Sequence, residues 1–267
     1  MKIRILNFGG AITILLLLAI TSCQKVVELN LKDASGQLVI EAKVTNANTQ
    51  TVKLSRNVAF TSTNDYPAVS GATVTISDQT GKTYQLTEGS AGTYSLSPFR
   101  GISLTTYNLN VQTDGKTYTA SSMMPARVAL DSIFAKSDEF NNSSNQKNIW
   151  VAYADPAGVK NQYRFVMYVN GVQVKRNFSY NDDLTDGRYV NARLRQFDID
   201  IYPGDTVRVE MQCIDPTIYK YWETLQQQQG NGPGGGVTPS NPPTNLSNNA
   251  LGYFSAHTTQ TRTLLVK

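Results

Sequence analysis

A regular alternation of apolar and polar residues constrains the fold of this chain more than any other feature. In the stretch GQLVIEAKVTN every second residue is apolar: Leu38, Ile40, Ala42 and Val44. Successive side chains of a β-strand point to opposite faces, so this period indicates a strand with one buried face. The pattern recurs in ATVTISD, GTYSLS and TYNLNVQ, with turn-forming residues between the segments. Such short strands predict a β-sandwich of immunoglobulin or transthyretin type over residues 36–125.

Alternating segments resume after the first domain, as in NIWVAYA, NQYRFVMYV and DTVRVEMQC. They predict a second β-rich domain over residues 128–267. One α-helix is predicted within it, near 216–229. Asp215 is a suitable N-cap, Pro216 is favoured in the first turn, and Gly230 favours the end of the helix. The sequence therefore predicts a mostly β protein with one helix.

The segment 230–249 interrupts the second domain without any apolar periodicity. Its twenty residues include one valine, one leucine and four prolines, and most of the others are Gly, Asn, Ser or Thr. Such a composition predicts little contribution to packing. Loops of this length are either disordered excursions or recognition surfaces carried on a rigid scaffold. The sequence leaves both alternatives open.

The N-terminal residues have the layout of a secretory signal peptide. Two basic residues precede a nine-residue run that is apolar apart from one threonine, too short for an ordinary membrane-spanning helix. The run ends in ITSC, which resembles the lipobox of bacterial lipoproteins. In such proteins the cysteine thiol receives diacylglycerol, the chain is cut before the cysteine, and the new amino group is acylated with a fatty acid such as palmitate. The resemblance implies a signal peptide at 1–22, a lipid anchor at Cys23 and a tether over 23–35.

Charge and cysteine content narrow the function classes. Lys2 and Arg4 belong to the predicted signal peptide, so the 24 basic residues fall to 22, against 20 acidic ones. A net charge so close to zero gives no basis for nucleic-acid binding. With Cys23 lipidated, Cys213 has no disulfide partner, and its place in an alternating segment predicts a buried, inert thiol. No cofactor is expected.

The residues that could carry catalysis are few. His257 is the one histidine of the sequence, and neither a Gly-x-Ser-x-Gly elbow nor a paired metal-ligand spacing accompanies it. We therefore predict no catalytic residue and no metal site. Asp182, Asp183 and Asp186 precede Gly187 as in a calcium loop, but they lack its ordered spacing and distal glutamate. A solvated hairpin tip is the favoured interpretation. A hydrolase that uses carboxylates of the second domain remains the alternative.

Aromatic residues crowd the second domain, and most of them occupy the apolar phase of their strands. Trp150 and Tyr168 fall on the opposite phase, so we expect both to point outward. Outward aromatic rings could stack on a glycan or contact a peptide. Trp150 and Tyr168 are therefore the candidate residues for binding a ligand or partner.

Several longer stretches resemble one bacterial lipoprotein family, the domain of unknown function 4249 (DUF4249). They are SCQKVVELNLKDASGQLVIEAKVTN, VSGATVTISDQTGK, GTYSLSPFRGISLTTYNLNVQTDGKTYTASSMMP and NPPTNLSNNALGYFSAHTTQTRTLLV. Members are similar to outer-membrane lipoproteins of Gram-negative bacteria, and their genes are often found beside TonB-dependent transporters. The family has no established activity, so the resemblance implies a location and a partner rather than a reaction.

Together these features predict a non-enzymatic lipoprotein of the cell outer membrane, held by a lipid at Cys23. We expect it to serve a TonB-dependent transport system as an accessory or binding component, with a glycan or peptide as the candidate ligand. A surface hydrolase and a structural or adhesive envelope protein are the alternatives.

Overall fold

The computed structural model describes residues 35–59, 62, 65–137, 145–229 and 240–267. The predicted signal peptide at 1–22, Cys23 and all but the last residue of the tether lie outside this part. Strands β1 to β8 are Leu38–Thr45, Gln50–Arg56, Thr73–Asp78, Thr83–Gln85, Thr87–Glu88, Thr93–Leu96, Thr106–Thr113 and Lys116–Met123. Strands β9 to β16 are Ser132–Ser137, Lys147–Ala154, Gln162–Val169, Val172–Gln173, Phe178–Asn181, Tyr189–Arg193, Thr206–Cys213 and Leu251–Leu265. One helix, α1, spans Pro216–Gln228. The predicted mostly β class is confirmed.

The first sandwich packs two sheets over one core. Strands β1, β2, β6 and β5 lie side by side in one layer, and β4, β3, β7 and β8 form the other. The alternating apolar residues of both layers face each other, as the sequence predicts. The core includes Ile40, Leu54, Ile76, Tyr94 and Leu109, all of them fully buried. The sandwich prediction for this part of the chain is confirmed.

The second half of the chain builds another pair of layers. One is the three-stranded sheet β14-β10-β9, and the other contains β12, β11, β15 and the end of β16, with β13 paired to β11. Aromatic residues fill the space between the layers. The largest of these buried side chains are Tyr153, Tyr163 and Phe165.

Strand β16 joins the two sandwiches into one nine-stranded sheet. Its first part pairs in parallel with β1, from Leu251 opposite Val39 to His257 opposite Thr45. Its second part pairs antiparallel with β15. Hence Leu246, Ala250, Phe254 and Ala256, within the predicted second domain 128–267, pack in the core of the first sandwich. The packing of these residues differs from the predicted boundary between a first domain at 36–125 and a second at 128–267. Alternation of apolar residues identifies a strand, but it does not identify the strand's neighbour.

Gly252 lies where β16 meets β1. Its φ is +94°, and a Cβ atom there would lie 2.1 Å from the carbonyl oxygen of Ile40, its partner residue in the parallel ladder. Glycine adopts this backbone conformation without steric cost, and it alone leaves room for so close an approach. The junction between the two sandwiches therefore requires a residue without a side chain at position 252.

Helix α1 follows β15 directly. The Asp215 side chain accepts hydrogen bonds from the amides of Thr217 and Ile218, at 2.9 and 3.0 Å, and Pro216 opens the first turn. Asp215 also accepts a hydrogen bond from the hydroxyl of Ser122, on β8 of the first sandwich. Ile218 is the buried residue of the helix, which packs on β13, β11 and β16. Among the described residues, no helix is long and apolar enough to cross a membrane.

The predicted loop 230–249 is packed over its second half. The Asn245 side chain donates to the carbonyl of Ser121 and exchanges hydrogen bonds with the backbone of Phe254, at 2.8 and 3.0 Å. Ser247 exchanges two hydrogen bonds with Thr119 on β8, at 2.8 and 2.9 Å. Polar side chains of this loop form the backbone hydrogen bonds that a neighbouring strand would otherwise form. The prediction that the loop contributes little to packing is therefore wrong for its second half. Residues 230–239 lie outside the described part.

Candidate functional site

Three acidic side chains meet where the two layers of the second sandwich end. Asp155, Asp182 and Asp186 each place one carboxylate oxygen within 4.8 Å of the oxygens of the other two. Asp155 directly follows β10, in one layer, and Asp182 directly follows β13, in the other. The turn 182–188 then crosses from β13 to β14, which pairs with β10. The cluster therefore spans both layers.

The turn is built around Asp182. The backbone carbonyl of Asp182 accepts hydrogen bonds from the amides of Thr185 and Asp186, at 2.8 and 2.9 Å. Its side chain accepts a hydrogen bond from the amide of Asn161, at 2.6 Å, and the side chain of Asp186 accepts one from the amide of Gly158, at 2.8 Å. The two carboxylates thus hold the loop after β10 against the turn after β13.

Asp155 is the electrostatically unusual member. It is 4% exposed, and its Oδ1 accepts a hydrogen bond from the hydroxyl of the buried Tyr163. Its Oδ2 is buried and has no hydrogen-bond partner among the described residues. Burial raises the pKa of Asp155, and the charges of Asp182 and Asp186 act in the same direction. The hydrogen bonds that Asp155 accepts from Tyr163 and from the amide of Gly187 act in the opposite direction.

A cavity of about 310 Å³ opens beside the cluster. Its lining residues are Gly158, Val159, Lys160, Asp182, Asp183 and Asp186. Asp183 and Asp186 are exposed, whereas Asp182 is 3% exposed. The interpretation as a solvated hairpin tip is wrong for Asp182, whose buried side chain accepts the hydrogen bond from the Asn161 amide. Asp183 and Asp186 are solvated as predicted, but the turn joins strands of two different sheets and is not a hairpin. Sequence reasoning missed Asp155, because 26 residues separate it from Asp182 and no local motif links them.

The two aromatic candidates lie on different faces. Trp150 is half-buried on the outer face of the three-stranded sheet. Its ring stacks on that of Phe134, with 6.3 Å between the ring centroids, and the Lys136 ammonium lies 4.8 Å from the centroid of the Trp150 ring. Tyr168 is on the outer face of the other layer, with the guanidinium of Arg208 3.9 Å from its ring. Both point away from the core, as the sequence predicts. They do not form one platform, and their binding role stays a prediction.

His257 and Cys213 both lie inside the protein. His257 is 4% exposed, and its Nδ1 pairs with the hydroxyl of Ser255 at 2.9 Å. Burial lowers the pKa of His257 to about 4, although Glu210 acts in the opposite direction. The Cys213 thiol is buried in the second core, and burial raises its pKa. Neither His257 nor Cys213 lines any of the solvent-accessible cavities found among the described residues.

A family model described as Domain of unknown function (DUF4249) matches residues 24–263. No curated protein matches the sequence. Three solved structures show similarity: a DUF4785 family protein from Legionella pneumophila (12% identity, TM-score 0.27), the adhesin InvE from Yersinia pseudotuberculosis (16%, 0.22) and the FN1–FN3 domains of chicken CNTN1 (11%, 0.26). The matches cover 65%, 67% and 66% of this chain, which spans 50%, 57% and 60% of those chains.

Proposed function

Since this chain belongs to the DUF4249 family, whose description names no activity, we propose that it is a lipid-anchored protein of the outer membrane. It binds rather than reacts, as an accessory or binding component of a TonB-dependent transport system. One observation carries the anchor: the lipobox-like ITSC ends at Cys23, and the family match begins at residue 24. The matched region thus starts where the mature chain would continue from its lipid.

The geometry of the acidic cluster favours binding over hydrolysis. Glycoside hydrolysis by paired carboxyl groups needs an acid and a base, or an acid and a nucleophile, that both reach the substrate. Here Asp155 and Asp182 are buried, and Asp182 and Asp186 already accept backbone hydrogen bonds that hold neighbouring loops. These contacts are those of a structural cluster. The buried His257 and Cys213 offer no alternative nucleophile or base.

Substitution of the anchor residue tests the location. We expect Cys23→Ala to be released from membranes or to remain uncleaved, because the thiol that accepts diacylglycerol is missing. Ser22→Ala is the matched control: it keeps a small residue before the cysteine and should still be processed and anchored. Membrane fractionation and the mass of the mature N-terminus report both properties. A Cys23→Ala chain that is cut at the same site and stays with the outer membrane would contradict the proposal.

Co-purification tests the role. The lipidated chain, isolated from gently solubilised membranes, should bring a TonB-dependent transporter with it, and an unrelated lipoprotein used as bait should not. Turnover of a glycan or peptide by the purified chain, lost in Asp186→Asn but not in Asp183→Asn, would instead support the hydrolase. Enrichment of neither a transporter nor any other outer-membrane protein would contradict the accessory role.

A further inference from the structure

We infer that Asp155, Asp182 and Asp186 bind one calcium ion, which joins the two layers of the second sandwich at the ends of β10 and β13. This site goes beyond the proposed function, because it needs neither a transporter nor a lipid. Two independent features carry the inference. One is the geometry of the three carboxylates, and the other is a buried oxygen without a partner.

The geometry fits a hard cation. All three ligands are carboxylate oxygens, which calcium and magnesium prefer and which softer metals do not require. Calcium binds oxygens at about 2.3–2.6 Å, so two ligands on opposite sides of the ion are about 4.6–5.2 Å apart. The three oxygens of the cluster lie within 4.8 Å of one another, close enough for one ion to contact all three. Calcium also accepts irregular ligand sets, whereas magnesium demands a near-octahedral arrangement and retains several waters.

The unpartnered oxygen points to a ligand. Asp155 is 4% exposed, and its Oδ2 accepts no hydrogen bond among the described residues. Buried polar atoms in native proteins nearly always have a partner, and an exception needs a physical explanation. A cation between the three carboxylates supplies that partner. It also removes the repulsion that Asp182 and Asp186 exert on a charged Asp155.

No basic side chain replaces the cation within the described residues. The ion pairs of Arg56 with Asp114 and of Lys220 with Glu223 lie elsewhere in the chain. Lys160 lines the adjacent cavity without an ion pair to the cluster. The exposed edge, formed by Asp186, gives the ion a path from solvent and leaves room for water ligands.

Calcium would act as a cross-link. Asp155 belongs to the end of the three-stranded layer, and Asp182 and Asp186 belong to the turn that leaves the other layer. An ion that binds all three resists separation of the layers, so it should raise the unfolding temperature. Extracellular calcium modules bind with dissociation constants of about 10⁻⁴–10⁻³ M, and we expect that range if the chain is in the envelope.

Calorimetric titration of the full chain tests the site. The chain is purified in mild detergent, stripped with a chelator, dialysed, and titrated with calcium chloride at constant ionic strength. We expect one ion per chain, a dissociation constant in the millimolar range or tighter, and an unfolding temperature that rises with calcium. Magnesium should bind at least about tenfold more weakly. No saturable binding up to about 10 mM calcium would overturn the inference, and equal affinity for magnesium would overturn the choice of ion.

Three variants locate the ion. Asp155→Asn and Asp186→Asn should each weaken calcium binding at least about tenfold, because each removes one charged ligand. Asp186 is exposed, so its variant should fold even if the buried Asp155→Asn does not. Asp183→Asn is the matched control, since it removes a charge from the same turn outside the cluster, and it should change the affinity less than about twofold. Equal losses in Asp183→Asn and Asp186→Asn would show diffuse charge attraction and overturn the site.

Discussion

Replacing Gly252 by alanine should separate β16 from β1 and destabilise the whole protein. At φ +94° an alanine is strained, and its Cβ would lie 2.1 Å from the carbonyl oxygen of Ile40 and 2.9 Å from the carbonyl carbon. The atoms involved belong to the backbone of a central strand, so no side-chain rotation relieves the overlap. The strands must move apart instead, which weakens the parallel ladder from Leu251 to His257.

The magnitude follows from two contributions. Placing a residue with a Cβ in this backbone region costs about 1–2 kcal/mol. Overpacking of a site with no free volume adds about 1–3 kcal/mol. Gly252→Ala should therefore lower the free energy of unfolding by roughly 2–5 kcal/mol, a large share of the about 5–15 kcal/mol typical of a folded domain.

Gly204→Ala separates the two contributions. Its φ is +98°, close to that of Gly252, but a Cβ atom there meets nothing within 4 Å. The control should lose about 1–2 kcal/mol through backbone strain, without the steric term. Urea unfolding of the wild type and both variants, followed by circular dichroism, measures the difference. If both variants lost the same free energy of unfolding, the argument would be refuted that the close approach of the Ile40 backbone, rather than the positive φ alone, requires glycine at 252.

Three further predictions concern the buried His257 and the loop 230–249. Because the pKa of His257 is about 4 in the folded chain and about 6.5 when unfolded, the unfolded chain binds more protons between these values. The free energy of unfolding should therefore fall by about 3 kcal/mol, from this residue alone, as the pH is lowered from about 6.5 to 4. His257→Asn should show a correspondingly smaller pH dependence in urea unfolding. An unchanged pH dependence in this variant would contradict the burial argument. Under the recognition alternative for this loop, replacing residues 230–239 with a Gly-Ser linker of equal length should leave the unfolding temperature unchanged and abolish co-purification of the partner. Asn245→Ala should lower the free energy of unfolding by about 1–3 kcal/mol, measured by thermal unfolding. Retention of the partner by the linker variant would assign 230–239 no docking role.

Local structure was predictable wherever neighbours in sequence determine it. The alternation in β1 gave both the strand and its buried face, and Asp215 with Pro216 gave the start of α1 at the residue observed. The helix ends at Gln228, one residue before the predicted end, because Gln229 forms the C-cap. These features depend on backbone preferences and on the apolar period, which a single sequence contains.

Long-range pairing was not predictable in the same way. Nothing near Leu251 indicates that its strand lies beside β1 rather than beside a neighbour in the second domain. Asp155 likewise follows an ordinary strand, and its relation to Asp182 exists only once two separate ladders align their ends. Polar anchors such as Asn245 resemble loop residues by composition, and the hydrogen bond that ties Asn245 to β8 is with the carbonyl of Ser121, more than 100 residues away.

The position of β16 has a consequence for biogenesis. β1 is the first strand of the described residues to be synthesised, yet its parallel neighbour lies some 200 residues later. Until β16 has been synthesised, β1 has an open edge on that side, and open edges favour pairing with other chains. Contacts so distant in sequence also slow folding. A chain of this topology therefore benefits from a chaperone that shields the edge of β1 until β16 is available, and deletion of residues 253–267 should make the protein prone to aggregation.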